Sequence, residues 1–417
     1  MSAQNFFRIF PLFMVIFVDM LSSSLLLPLL PTLFLNTDTS ILPIHATPSM
    51  RYFMFGLVQG ISSLAMFFGA PILGDLSDRL GRKRILIIAL LGTFLSYLLA
   101  AFAVLISSVS LLLFGRVIAG FTGGSLSTAQ AAITDISSEK QRTTNIGYIL
   151  LAVSMGSILG PLLSGTLSNP RWASWFHVTT PLYFAAAISA VNLVYLYFAF
   201  RETFVPTEQT EKKHVHPLSG LSVIISAFTL PRLFGLTMAF LFMQLGWATF
   251  VQFVALFLTL RYHLSPNEIG IYMACVGVGF TLAFCYLLGI ITAHFSLRNI
   301  ALVSISLIGF FILGILLIPY ELSAWMLAIP AATSLAIGYS VLVSLFSEQV
   351  DKSKQGWIMG LTGAISAFSF GVTGLGAGIL AEFGVATPLW VALGCLIISV
   401  LALVFMRYHA AVGKEKL

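Results

Sequence analysis

Runs of mostly apolar residues, each about as long as a bilayer-crossing helix, recur twelve times along the chain. They lie near residues 8–34, 51–73, 85–106, 109–134, 144–167, 177–200, 229–259, 267–291, 298–318, 322–347, 356–380 and 385–407. A helix crosses the hydrocarbon core with about 20 such residues. No water is available there to satisfy an open backbone, so the runs must fold as helices or close into a barrel. Period-two alternation is absent, which argues against a barrel. Only 9% of the 417 residues are charged, against about 25% in a soluble chain. The expectation is an all-α membrane protein of twelve transmembrane helices, with the lipid bilayer as its solvent.

The net charge of +6 does not indicate a nucleic-acid partner, because the bases are placed by topology. With a cytoplasmic N-terminus, 17 Lys and Arg fall in or beside cytoplasmic segments. Arg51, Arg171 and Arg261 lie outside, and Arg116 lies within a span. That asymmetry follows the positive-inside rule and puts both termini in the cytoplasm. Cys275, Cys285 and Cys395 all sit in apolar runs, as packing residues, with no disulfide, zinc or haem spacing. The first run is too long for a removed signal peptide. No Asn-X-Ser/Thr acceptor occurs, in keeping with a bacterial inner membrane. No cofactor or metal is expected, and the chain is read as a monomer.

Two polar stretches interrupt an otherwise tight arrangement. Residues 35–50 form an external loop. Residues 201–228, which include Glu202, His214 and His216, read as a solvated cytoplasmic linker that separates one six-helix bundle (1–200) from another (229–417). The halves echo one another. A shift of 213 places Asp135 on Glu348, Gly147 on Gly360 and Gly165 on Gly378, and a shift of 214 places Gly56 on Gly270 and Arg84 on Arg298. Parallel six-span repeats are a transporter architecture with the substrate between the halves. There is no P-loop for ATP and no nucleophile–base pair, so an enzyme is not expected. Ion or substrate gradients are the energy sources left.

Between spans two and three, Gly74-Asp75-Leu76-Ser77-Asp78-Arg79-Leu80-Gly81-Arg82-Lys83-Arg84 concentrates two acids and four bases in a chain otherwise poor in charge. A topogenic loop needs the bases but not the embedded acids and glycines. Gly74 and Gly81 relax the backbone where two helices meet, and Asp78 can accept from Arg79 or Arg82 or sit at a helix N-terminus. The match at Gly74, Asp78, Arg79, Gly81, Arg82 and Lys83 resembles the signature loop of the major facilitator superfamily. Twelve spans, a central linker and the half-repeat extend the resemblance over the whole chain. It implies two pseudo-symmetric six-helix bundles. It also implies a cytoplasmic gate latch in which Asp78 meets the start of span eleven near Gly356 and Arg82 lies near Asp135.

Two residues within spans are candidates for coupling. Asp19 is the acid placed deep in a span, about 15 Å from the cytoplasmic end of span one at 1.5 Å per residue. Arg116 enters span four from the other side, is followed by Gly120, Gly123 and Gly124, and must face protein or water. It resembles the superfamily's Arg-x-x-x-Gly motif, associated with proton coupling in antiporters. Burial favours a neutral carboxyl and a neighbouring guanidinium an ionised one. Spans one and four are neighbours in this fold, so an Asp19–Arg116 pair of changing separation would act as a proton switch. A purely structural role for either residue is the alternative.

In span five, Gly156-x-x-x-Gly160-Pro161-x-x-x-Gly165 provides small residues for close packing and a proline for a bend. It resembles the motif of drug–proton antiporters, with Ser164 in place of one of the usual glycines. Asp135, Arg142 and Gly147 just before it are similar to tetracycline and multidrug exporters. Two departures stand out. Spans three and nine lack the further acids of tetracycline-type exporters, and the second-half loop is eroded to Gly289, His294 and Arg298. A cavity without spare negative charge suits a neutral, zwitterionic or anionic compound. Thr122, Gln130, Gln244, Trp247, Gln252, Tyr339 and Ser340 are the candidate substrate contacts, since polar groups among aromatic faces suit mid-sized organic molecules. The reading is a secondary transporter working by alternating access, exporting a small organic molecule against protons. The alternatives are an importer or exporter of a metabolite or siderophore, and a non-transporting sensor or scaffold.

Overall fold

The computed structural model describes residues 3–36, 40–123, 125–137, 139–203, 219–350 and 355–406. Within them, the side chains of 3–8, 134, 139–144, 146, 150, 219, 232 and 355 are left aside. The chain order is α1 (Ala3–Leu25), α2 (Leu29–Leu35), α3 (Pro48–Leu80), α4 (Arg82–Leu105), α5 (Val109–Thr122), α6 (Ser125–Ile136), α7 (Glu139–Leu167) and α8 (Thr180–Ala199). Then follow α9 (Ser219–Thr229), α10 (Pro231–Tyr262), α11 (Pro266–Leu282), α12 (Leu288–His294), α13 (Leu297–Leu317), α14 (Glu321–Glu348), α15 (Gln355–Leu380) and α16 (Thr387–Phe405). Among the described residues there are twelve helical stretches long and apolar enough to span a membrane, and they coincide with the twelve runs of the sequence. His214 and His216 of the linker lie outside the described residues.

Three runs are not single uninterrupted α-helices. Span one turns at Leu26–Pro28, between α1 and α2. Span four breaks at Gly123, so that α6 restarts at Ser125. Span eight passes through a π-helical turn at Ala283–Leu287 between α11 and α12. Interruptions at membrane depth survive only where neighbouring helices or cavities satisfy the freed groups.

The contacts divide the chain into two compact units. One holds Met1–Pro217 with Leu258–Ala274, and the other holds Leu218–Phe257 with Cys275–Leu417. In the first, α1 packs on α7, α3 on α5, and α4 on both α5 and α8. Leu12 and Ile16 of α1, Leu86 and Leu90 of α4, and Ile133 of α6 are fully or almost fully buried in its centre. In the second, α13 packs on α14 and α16, and α15 on α9. Outward faces stay apolar: Val191, Val194 and Phe198 on α8, and Val303, Leu307 and Phe310 on α13 are exposed at helical spacing. Only lipid makes such faces stable.

Lipid is as apolar as leucine, so close packing and interhelical hydrogen bonds hold the spans together. Glycine supplies the packing. A Cβ at Gly120 of α5 would strike the Ser62 carbonyl of α3, and one at Gly92 of α4 would lie 2.5 Å from Thr122 Cβ. A polar clamp orders the loop between spans one and two. Arg51, only 7% exposed, donates from Nη1 to the Phe34 carbonyl (2.9 Å) and Ser40 Oγ (2.9 Å). Its Nη2 reaches the carbonyls of Pro43 (3.1 Å) and Ile44 (3.3 Å), and Nε that of Ala46 (3.3 Å). Its guanidinium therefore shapes the loop between spans one and two.

The glycine seams differ in how much room they leave. A Cβ at Gly160 would meet Ser24 Oγ and the Leu21 carbonyl, whereas one at Gly147 on the same helix meets nothing within 4 Å. Gly160→Ala is expected to cost about 1–3 kcal/mol by overpacking. Gly147→Ala should be neutral or slightly stabilising through helix propensity. Thermal unfolding in detergent reads both, and equal midpoints would mean that α1 and α7 do not meet at Gly160.

Candidate functional site

The charge knot is built from the ends of α3, α4, α6 and α8. Arg79 Nη2 pairs with Asp75 Oδ2 at 2.9 Å, one helical turn back. Arg82 is largely buried, and its Nη1 meets Ser77 Oγ and the Asp78 carboxylate while its Nε donates to Asp135 Oδ2 at 3.2 Å. Gly81 turns the chain with φ +99°, where a side chain would be strained. Gly74 has open space around its Cα. Arg142 lies on α7, and its side chain is outside the described set. Sequence reading left out Tyr197 and Glu202 as members. Glu202, counted there with the linker, accepts from the Arg82 backbone N–H at 2.9 Å.

Asp19 lies on α1, 8% exposed, and accepts a hydrogen bond from Ser125 Oγ at 2.6 Å. Ser125 opens α6, so the carboxyl stands at a helix N-terminus, whose dipole favours negative charge. The break at Gly123 creates that position. The adjacent Gly123-Gly124 pair was the available signal, but within an apolar run it reads equally as packing. Gly124 itself lies outside the described residues.

In this structure Arg116 has partners other than Asp19. Its Nε donates to the Val58 carbonyl of α3 at 3.3 Å, and it hydrogen-bonds the Tyr97 hydroxyl of α4. That hydroxyl in turn donates to the Ser22 carbonyl of α1. Tyr97 therefore links α5 to α1 one turn from Asp19, and nothing in the sequence singled it out.

On α7, Gly156 and Gly160 face α1. A Cβ at Gly156 would lie 2.7 Å from Met20 Cβ, and Ser24 Oγ donates to the Gly156 carbonyl at 3.1 Å. Farther along, Gly165 faces the start of α11, where a Cβ would lie 2.6 Å from Asn267 Cα. Gly270 lies directly against the Pro161 carbonyl. The motif is thus a small-residue seam first against α1 and then against Pro266–Gly270, both within the first compact unit.

The candidate substrate contacts fall into two groups. In the first unit, Thr122 bonds back to the Ile118 carbonyl (2.8 Å) and packs on Gly92, and Gln130 is half-buried on α6. In the second, α10 and α15 share a polar seam. Gln244 Nε2 donates to Ser366 Oγ at 2.6 Å, and Gln252 Nε2 to the Phe370 carbonyl (3.0 Å) and Thr373 Oγ1 (3.1 Å). Ser366 also hydrogen-bonds Tyr339 of α14, whose ring lies 5.5 Å from Phe240. Trp247 is buried against Phe250 and Phe280. Ser340, half-buried on α14, offers its carbonyl to Ser344. Ser366, absent from the sequence reading, joins two of the nominated side chains. The seam contains amides, hydroxyls and rings and no formal charge.

Removing the Tyr97 hydroxyl would leave the Arg116 guanidinium and the Ser22 carbonyl short of a partner in a dry interior. Tyr97→Phe is expected to lower stability by roughly 1–3 kcal/mol, while Tyr183→Phe, at a ring 42% exposed, leaves it unchanged. Thermal midpoints of the detergent-solubilised variants give the comparison, and an unshifted Tyr97→Phe would show that Arg116 is held some other way.

Known transporters resemble this chain in sequence and in fold. The tetracycline resistance protein of class H from Pasteurella multocida is 28% identical over 82% of this chain and 81% of its own length. The quinolone resistance protein NorA of Staphylococcus aureus is 23% identical over 98% and 99%. Among solved structures, a D-xylose–proton symporter superposes with a TM-score of 0.75 at 15% identity over 99% of this chain and 100% of that one. The human organic anion transporter MFSD10 does so with 0.70 at 20% identity over 97% and 100%. Residues 12–372 match the family described as the Major Facilitator Superfamily. With twelve membrane-length helices and that match over most of its length, the chain is a multi-pass membrane transporter and belongs to the major facilitator superfamily.

Proposed function

We propose that this transporter exports a mid-sized organic compound in exchange for protons, with Asp19 as the proton carrier. The observation that carries the reading is the state of that carboxyl. Among the described residues, it is buried among spans, held by a single hydroxyl donor, and bonded to no base. Such a group can gain or lose a proton without breaking a salt bridge. Intramembrane acids are costly and by default functional.

Arg116 acts at one remove. Through Tyr97 it grips the Ser22 carbonyl, one turn from Asp19 on the same helix. A shift of α1 against α4 and α5 would disturb this grip and the Ser125 bond together. That coupling is what an exchanger needs between its proton site and its conformational change. The knot of Gly74, Asp78, Arg79, Gly81, Arg82, Asp135 and Arg142 serves as the cytoplasmic gate. The seam of Gly156, Gly160, Pro161 and Gly165 keeps α7 rigid against α1.

The uncharged seam of Gln244, Ser366, Tyr339, Gln252 and Thr373 beside Trp247 and Phe240 supports a substrate with rings and hydrogen-bonding groups but no strong positive charge. Tetracycline and a quinolone, which relatives are named for resisting, are the first probes. The placement of bases supports cytoplasmic termini in a bacterial inner membrane, and a single twelve-span chain as the working unit.

Asp19→Asn keeps the size of the side chain and an acceptor for Ser125 while removing the proton. In proteoliposomes with an imposed pH gradient, wild-type protein is expected to accumulate labelled tetracycline or quinolone uphill. Asp19→Asn should lose uphill accumulation yet keep exchange of labelled for unlabelled compound at equal pH within a few-fold. Full gradient-driven accumulation by Asp19→Asn would refute the assignment.

A further inference from the structure

Three backbone donors converge on one carboxylate at the cytoplasmic end of the first unit. The Arg82 N–H reaches Glu202 Oε1 at 2.9 Å, and the Lys83 N–H reaches Oε2 at 3.1 Å. The Thr203 N–H reaches Oε1 at 2.9 Å. Helix α4 starts at Arg82, and the first N–H groups of a helix have no partner within it. The residue that would ordinarily supply a capping oxygen is Ser, Thr, Asp or Asn. Here that position is Gly81, which has none. The cap comes instead from Glu202, just past the end of α8 and 120 residues away in sequence. A Cβ added at Gly81 would fall on the Glu202 carboxylate, so the φ +99° turn and the remote cap require each other.

The same three residues hold the other helix ends. From its capped backbone, Arg82 reaches Ser77 and Asp78 of α3 and Asp135 of α6. Lys83 Nζ donates to the Tyr197 carbonyl of α8 at 2.7 Å and lies 5.4 Å from the centre of that residue's ring. Glu202 is the member that fixes the α4 backbone itself, with charge-assisted bonds.

We propose that Glu202 is a positioning residue of the gate. It sets the start of α4, and thereby the register from which the Arg82 guanidinium reaches Asp78 and Asp135. It touches neither substrate nor the coupling proton. Its effect on transport rests on the transporter reading above, whereas its effect on α4 can be read without any substrate.

The test uses purified wild type, Glu202→Ala, Glu202→Gln, Arg82→Ala and the Glu202→Ala/Arg82→Ala double variant. Hydrogen–deuterium exchange at the Arg82 and Lys83 amides should quicken about tenfold in Glu202→Ala, as for loss of a charge-assisted cap. Glu202→Gln, which keeps one carbonyl oxygen, should restore part of the protection. Tetracycline transport by Glu202→Ala should show a lower maximal rate with an unchanged KM, and the double variant should be no slower than Arg82→Ala alone. Unchanged exchange at the two amides would overturn the proposal. So would a KM effect without a rate effect, or independent losses that multiply in the double variant. Exchange needs no transported compound, so a wild type inactive toward tetracycline leaves that arm decisive.

Discussion

A charge placed inside the membrane must find its partners on another span, and this requirement organises the first half of the chain. Water cannot satisfy Arg116, so α5 must lie between α3, which offers the Val58 carbonyl, and α4, which offers Tyr97. Tyr97 is then committed to α1 through Ser22. Asp19 fixes α1 a second time, against the start of α6. Four spans are placed by two ionisable residues and the hydroxyls that serve them. The helices can approach closely enough only because glycine lines the contacts, at Gly92, Gly120, Gly156 and Gly160. Polar satisfaction and small-residue packing are therefore one design, each useless without the other.

The exchange mechanism follows from how unequal the two charges are. Arg116 is held by a carbonyl and a hydroxyl and has no role that requires it to change. Among the described residues Asp19 has one neutral donor, from which a carboxylate accepts strongly and a protonated carboxyl more weakly. The charge knot is different again. Its acids and bases neutralise each other in pairs, Asp75 with Arg79, and Asp78 and Asp135 with Arg82. It joins helix ends, which leaves the membrane carboxyl as the proton site in the proposed exchange.

How much of this was legible in the sequence depended on the range of the interaction. The spans were legible because bilayer thickness sets a run length that each segment carries by itself. The knot was legible because its members are consecutive, and the α7 seam because four-residue spacing is local. The partners of Asp19 and Arg116 in this structure were not legible. Depth along a helix was a fair guide, but the Gly123 break and the direction of each side chain decided the partners, and neither is encoded in spacing. Tyr97, Ser125, Ser366 and Glu202 escaped notice for a common reason. A lone tyrosine, serine or glutamate has no local signature, and its role appears only when a residue far away in sequence is brought beside it. Glu202 in particular reads as the first acid of a solvated linker, yet Arg82 and Lys83 donate to it.

The central claim is that substrate binding is exchanged for a proton on Asp19. Proton release on binding tests it most directly. Purified protein in weakly buffered detergent solution is mixed with tetracycline or a quinolone whose binding is followed by tryptophan fluorescence, and the pH of the solution is recorded. Wild type should release protons in step with binding, and Asp19→Asn should bind without releasing any. Equal release from both proteins, or binding by wild type with no release at all, would contradict the account.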